Sequence, residues 1–265
     1  MFYQGVLTKM ETEFTQPIQY YLVFESDFLN MNQLLNKTLH IKFVKFQCLN
    51  CGLNKEIYRQ GFCRTCFFDI PQAADWIMRP ELSTAHLDKE DRDLEYEKKV
   101  QLQPHIVYLA LSSNVKVGVT RKPQIPTRWI DQGATKAIAI VETPNRYLAG
   151  ITEVALKNYV ADKTSWQKML KNNIADVDLV AEKENLFQHI PDETKSYFLN
   201  SNTDVYTMDF PVLQYPTKVK SKRLDKDPII NGKLKGIKGQ YLIFEDGSVF
   251  NVRNNEGFVV TLSVK

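Results

Sequence analysis

The sequence predicts an α+β fold with β-rich ends, a four-cysteine ribbon inserted near the start, and a small α/β module in the middle. Strand-length runs of aromatic and branched residues stand at both ends, as in Tyr20-Tyr21-Leu22-Val23-Phe24 and Gln240-Tyr241-Leu242-Ile243-Phe244. The cysteines come as two Cys-x2-Cys pairs, and between residues 104 and 175 strand patterns alternate with helical ones. With 265 residues, 43% of them hydrophobic and 25% charged, the chain can bury a substantial core as one large domain or two smaller ones. Its formal net charge of +3 does not by itself name a partner, so the placement of charge has to.

Residues 1–46 read as an N-terminal β segment, with a further strand at Leu39-His40-Ile41-Lys42-Phe43-Val44. The opening residues lack a basic stretch followed by a long apolar one, so they read as a strand rather than a signal peptide. No apolar run is long enough to cross a bilayer, which predicts a cytoplasmic chain with no membrane partner. In that compartment thiols stay reduced, and paired cysteines serve metals more often than disulfides.

Residues 47–70 carry Cys48, Cys51, Cys63 and Cys66. Two Cys-x2-Cys knuckles offer four thiolates to one tetrahedral ion, and zinc is the ion that such a set suits. Gly52 and Gly61 stand where knuckle turns need permissive backbone. Four thiolates leave no open coordination position, so this zinc is expected to be structural. Two disulfides or buried free thiols are the competing readings, and neither accounts for the paired spacing. Lys45, Lys55, Arg59 and Arg64 suit a phosphate-facing ribbon, although ribbons also serve as plain folding staples.

Residues 71–103 form a connector in which opposite charges mix, read as a solvated helix or linker. The module of residues 104–175 opens on the buried-strand pattern Ile106-Val107-Tyr108-Leu109-Ala110-Leu111. A turn at Ser112-Ser113-Asn114 leads to an alternating second strand from Val115 to Thr120. Pro126 opens a short helix through Thr127, Arg128, Trp129 and Ile130 that stops near Gly133, and Ala137-Ile138-Ala139-Ile140-Val141 gives a third strand. A long helix is expected from Arg146 past Trp166. Residues 176–265 begin polar and weakly patterned, then return to strands around an Asp246-Gly247 hairpin turn. The two ends echo each other faintly, by shared strand propensity or by duplication of a β unit; the first is the plainer reading.

Ile106-Val107-Tyr108, Lys116-Val117-Gly118, Arg128 on a short helix and Glu153 on a longer one resemble, in order and coarse spacing, the GIY-YIG nuclease domain. That resemblance covers residues 104–173 and implies a three-stranded antiparallel sheet flanked by helices. It also implies cleavage of phosphodiesters with a divalent cation. Glu153 would anchor Mg²⁺ or Mn²⁺, Arg128 would stabilise charge on the phosphate, and Tyr108 would orient or deprotonate the attacking water. Ile106 replaces the family's first glycine, Lys116 the second tyrosine and Gln132 its histidine, while Asn172 or Asn173 stands near its late asparagine. Lys116 serves there either as a base of depressed pKa or as a phosphate ligand. The whole chain is also similar to a bacterial family known only as a domain of unknown function, through Val117-Gly118-Val119-Thr120-Arg121, Arg128-Trp129-Ile130-Asp131-Gln132-Gly133-Ala134 and the late Gly236-Ile237-Lys238-Gly239-Gln240-Tyr241-Leu242.

Lys218, Lys220, Lys222 and Arg223 begin a basic stretch near the C-terminus which, with Arg121, suits a phosphate backbone. Nucleic acid is therefore the expected partner, and a divalent-metal-dependent endonuclease is one expected function. A non-catalytic zinc-ribbon module that binds RNA, a ribosome or a protein is the other.

Overall fold

A computed structural model describes residues 2–25, 27–160 and 165–265. Its largest element is a seven-stranded sheet built from both ends of the chain. In spatial order the strands are Phe2–Val6, Phe258–Val264, Thr38–Phe46, Ile229–Lys238, Tyr241–Phe244, Ser248–Asn251 and Lys220–Lys222. All neighbours are antiparallel except the last pair, where Lys220–Lys222 runs parallel to Ser248–Asn251. The Asp246-Gly247 signal becomes the hairpin turn it predicts, joining Tyr241–Phe244 to Ser248–Asn251. The echo between the ends is not a duplication of one sheet position. Gln19–Val23 lies in a separate three-stranded sheet with Glu11–Glu13 and Phe28–Asn30, while Tyr241–Phe244 is central in the large one.

The middle of the chain forms a four-stranded antiparallel sheet, in the order Tyr206–Thr207, Lys136–Thr143, His105–Leu111 and Val115–Arg121. Three of these strands are the ones read from the sequence. The fourth corrects the three-stranded expectation: Tyr206 and Thr207, two residues from a polar stretch, pair with Ala137 and Lys136 at the edge. His105–Leu111 is buried throughout, and its period of two divides it between two cores. Ile106, Tyr108 and Ala110 pack toward the terminal sheet with Trp129, Ile130 and Ile237. Val107, Leu109 and Leu111 pack on the opposite face with Ala149, Leu156 and Leu186. A continuous apolar run is the signature of such a doubly covered strand.

Three expectations change. The long helix stops early, at Arg146–Leu156, and a separate short helix follows at Trp166–Leu170; residues 161–164, which the long helix was expected to cross, lie outside the described residues. The polar stretch after 176 holds a helix, Leu179–Leu186, whose Leu179 and Leu186 cover the module's outer face. Its Lys183 is buried and donates to the carbonyls of Leu199, Asn200 and Asn202, so one lysine ties down the turn that precedes the edge strand Tyr206–Thr207.

The charged connector is not simply solvated. Glu97 is fully buried on the helix Leu94–Gln101 and accepts from the backbone N–H groups of Asp91, Arg92 and Asp93 at 3.0, 2.8 and 3.1 Å. Trp76 is buried, and the turn at Pro80–Leu82 presses its backbone against the helix Arg146–Leu156 at Gly150. A Cβ at Gly150 would lie 2.3 Å from Glu81 N and 2.4 Å from Pro80 C, so only glycine permits that approach. Gly150→Ala should therefore lower the unfolding free energy by about 1–3 kcal/mol, the usual cost of overpacking. An unchanged denaturation midpoint would rule the close contact out.

Candidate functional site

The four cysteines and the module's polar residues form two separate constellations. In the first, the ligand atoms of Cys48, Cys51, Cys63 and Cys66 all lie within 4.8 Å of one another. None is in a disulfide; three are buried and Cys51 is exposed. A tetrahedron of thiolates around zinc has edges of about 3.8 Å, so modest contraction closes the set on an ion. The short strands Ile57–Arg59 and Phe62–Cys63 and the helix Arg64–Asp69 deliver the second knuckle. Cys63 N donates to Cys48 Sγ and Asn50 Nδ2 to Cys66 Sγ, both at 3.3 Å. Burial raises the Cys48 pKa, but the N–H groups of Cys51, Cys63 and Asn50 outweigh it and bring the thiol down to about 6. Backbone dipoles thus favour the thiolate at Cys48 before any ion arrives; at Cys66 the Asn50 amide pulls the same way, but burial and the other three thiols outweigh it and push the thiol up to about 11. Among the described residues this is the single group of metal-ligating side chains so arranged, and a metal ion can be held there.

In the second constellation, Tyr108, Lys116, Arg128 and Glu153 line one cavity, together with Gln132, Arg146 and Lys157. Register explains the first pair: Tyr108 and Lys116 lie on the two antiparallel strands His105–Leu111 and Val115–Arg121, with Tyr108 directly opposite Gly118. A Cβ at Gly118 would sit 2.6 Å from the Tyr108 hydroxyl, so the glycine is what leaves that phenol its place. Gln132 Nε2 donates to the same hydroxyl at 2.9 Å, while Gln132 Oε1 is buried without a partner. Arg128 comes from the helix Thr127–Asp131, which Asp131 locks to the terminal sheet. The Asp131 carboxylate accepts from Lys9 Nζ at 3.2 Å and from Gln240 Nε2 at 2.8 Å.

Glu153 is buried on the helix Arg146–Leu156, with Lys157 Nζ at 3.4 Å one turn later. Burial raises its pKa above the usual carboxylate range, against the opposing pull of Lys157 and Arg146. Burial likewise lowers Lys116 to about 8, with the neighbouring Arg128 pushing the same way and Glu153 resisting. Tyr108 is fully enclosed, and burial raises its pKa despite Arg128 and Gln132. The cavity therefore holds four basic side chains around one carboxylate, a balance that favours an anion.

Sequence reasoning missed two basic cavity residues, Lys157 one turn beyond Glu153 and, more firmly held, Arg146. Its Nε donates to the carbonyl of Trp76 at 3.1 Å and its Nη2 to that of Ile77 at 2.7 Å, and the guanidinium lies 5.6 Å from the Trp76 ring centroid. Burial lowers its pKa to about 10, so it stays charged. The signal was absent because its partners are backbone carbonyls of the connector, whose Ile77, Met78 and Pro80 form a wall of the cavity.

The C-terminal basic stretch does not join this site. Lys218 and Lys220 are exposed beside or on the edge strand of the large sheet. Lys222 faces Asp246 at 3.7 Å, and Arg223 meets both oxygens of Asp225 at 3.1 and 2.8 Å. Further along, Lys233 and Lys235 pair with Glu245, and Lys238 is fully buried against Asn172 Oδ1 at 3.0 Å. The free basic face expected there is largely used internally. Arg121 lies in a second cavity, which shares Arg128 and Arg146 with the first.

A family model described as "Protein of unknown function (DUF2797)" matches residues 36–260, and the chain belongs to that family. No curated protein and no solved structure matches it. Among the described residues, no helix is long and apolar enough to cross a membrane.

Proposed function

We propose that the protein binds nucleic acid and cleaves its phosphodiester backbone in the Tyr108 cavity, which acts as a GIY-YIG-like site. The observation that carries this is convergence: Tyr108, Lys116, Arg128 and Glu153, spread over about a fifth of the sequence, line one cavity with Arg146 and Lys157. Arg128 and Arg146 supply planar guanidiniums suited to non-bridging phosphate oxygens. Tyr108, its pKa raised by burial, stays protonated near neutral pH, so its role is to orient water rather than to deprotonate it. Lys116 suits the base: at a pKa of about 8, roughly a tenth is the free amine at pH 7. It stands where the nuclease family has its second tyrosine.

Glu153, as the lone carboxylate of the cavity, fits a hydrated cation that keeps most of its waters and shares the substrate phosphate. A Mg²⁺ or Mn²⁺ ion there would neutralise phosphate charge and stabilise the leaving oxygen. The surrounding cations repel a dication from the empty cavity, so the phosphate should enter first. The cysteine set, in this reading, holds one zinc that shapes the ribbon and takes no part in the reaction, as suits a chain of the cytoplasm, where thiols stay reduced.

One observation favours a second reading, a non-catalytic binding module for nucleic acid or for a protein partner. Glu153 is already paired with Lys157, which an anion-binding pocket needs no metal to explain. Incubating labelled single-stranded and duplex DNA and RNA with Mg²⁺, Mn²⁺ or EDTA separates the two. Metal-dependent products support the first reading and salt-sensitive binding without products the nucleic-acid form of the second, whereas neither binding nor cleavage defeats both of these and leaves only a protein partner.

The lysine gives a pH signature. Its folded pKa of about 8 lies below the ordinary 10.5, so between those values the unfolded chain binds the extra proton and stability from this group rises with pH. Anion affinity runs the other way, because the ammonium is lost above 8. Oligonucleotide affinity in wild type should fall about tenfold between pH 7 and 9.5, and Lys116→Arg should flatten that profile. Parallel profiles for the two proteins would remove Lys116 from the site.

A further inference from the structure

We infer that the binding surface is a track for single-stranded nucleic acid, running from the Tyr108 cavity past Arg253 to the outer edge of the cysteine ribbon. This rests on the phosphodiester reading above and extends it to a substrate class: an unpaired strand several nucleotides long.

Three cavities adjoin through shared walls. The Tyr108 cavity shares Arg128 and Arg146 with the second, which continues beside Arg121 to Arg253. Arg253 also lines the third, against Tyr58 and Arg59 of the ribbon. One arginine on the short turn Arg253–Asn255 thus lines both and bridges one cavity to the next.

Charge along the path matches a repeating polyanion. Among the described residues, Arg59, Arg121, Arg128, Arg146 and Arg253 have no carboxylate within ion-pair distance. The acids beside them are occupied. Asp131 is held by Lys9 and Gln240, and Asp225 by Arg223. Glu256 accepts from Lys9 N at 2.9 Å, and burial raises its pKa. Among the described residues lining the third cavity, Glu56 is the exposed acid with no ion-pair partner. Cations set at intervals from pocket to ribbon suit successive phosphates better than one isolated anion.

The ribbon end adds what an unpaired base needs. Tyr58 is 42% exposed, and the guanidiniums of Arg59 and Arg64 lie 5.4 and 5.9 Å from its ring centroid. Phe67 and Phe68 brace it, with ring centroids 5.2 and 5.6 Å away. An exposed aromatic–guanidinium layer offers stacking to a base whose face is free, and a duplex hides those faces. Phosphate contacts in the groove and a stacking platform at its end together select the single strand.

Fluorescence anisotropy on the full-length protein tests this with labelled single-stranded oligonucleotides of graded length and a matched duplex, without divalent metal. Affinity should rise with length and level off, and the single strand should bind about tenfold more tightly than the duplex. Arg253→Gln should weaken long oligonucleotides about fivefold, lower the salt slope by about 0.7, and leave the shortest unchanged. Tyr58→Leu should cost long single strands about tenfold; because it also touches the ribbon's packing, Arg253→Gln outside the ribbon carries the decision. Length-independent affinity, a preference for duplex, or an Arg253→Gln protein that binds long strands normally overturns the track. If binding in that case still falls in Arg128→Ala, the cavity reading survives alone. An absence of any oligonucleotide binding overturns both.

Discussion

Cys48→Ser or Cys63→Ser should release one zinc ion per chain and unfold residues 47–70 while the large sheet persists. The segment has little else to hold it. Its buried cluster is Cys48, Cys63 and Cys66 with only Ile57 and Phe62 packed against it, and residues 52–56 form no regular structure. Strands of three and two residues do not stand alone in water. Structural zinc supplies on the order of 10–16 kcal/mol of apparent binding free energy in comparable small sites, and that energy is folding energy. Losing one of four thiolates should therefore abolish amide protection across the ribbon in hydrogen exchange. The disturbance should spread one step further. Arg92 Nη1 donates to the carbonyls of Phe67 and Ile70 at 2.9 and 2.7 Å, which ties the ribbon helix to the connector that walls the Tyr108 cavity. The large sheet, closed by strands from both chain ends, meets the ribbon through Ile57, which also packs against its core, but its strand pairing involves no ribbon residue, so it should keep its protection. A purified chain without stoichiometric zinc, or a Cys48→Ser ribbon as protected as wild type, would refute the structural metal.

What the sequence made legible was whatever one local period or one fixed spacing encodes. The cysteine pairs announce their own cluster, and His105–Leu111 and Val115–Arg121 show themselves by apolar continuity and alternation. Tyr108 and Lys116 could be placed together because one short turn fixes their register. Hidden were the features made by pairing distant segments through backbone. Tyr206–Thr207 has no strand pattern of its own and is held by the edge it completes. Arg146 looks like an ordinary first-turn residue until the carbonyls of Trp76 and Ile77, some seventy positions earlier, are brought to it. The charge of the connector suggested solvent because composition does not reveal that the Glu97 carboxylate caps three backbone N–H groups. For the same reason the basic stretch promised more than it delivers, since Asp225, Glu245 and Asp246 take up several of its charges.

Glu153→Gln should reduce metal-dependent cleavage by about 10³-fold while binding holds or tightens, and the opposed directions are what make this test strong. The substitution keeps the side chain's shape in a site that is only 8% exposed, so it opens no void. It removes the one negative charge among Lys116, Arg128, Arg146 and Lys157, and with it the ligand that would hold the cation. Turnover should collapse. The same loss frees Lys157 and leaves the cavity more positive, so affinity for an oligonucleotide should not decline. Stability should not decline either. Burial raises the Glu153 pKa, so the native state binds more protons than the unfolded one across that window, and ionisation at neutral pH costs stability that glutamine does not incur. A misfolded variant would lose binding, cleavage and thermal stability together, whereas a lost metal anchor removes cleavage alone. Under the non-catalytic reading wild type shows no cleavage, and Glu153→Gln still tightens binding by relieving repulsion of the phosphate. Cleavage that persists unchanged in Glu153→Gln, with wild type active, would take the carboxylate out of the reaction and with it the resemblance-based assignment of this cavity.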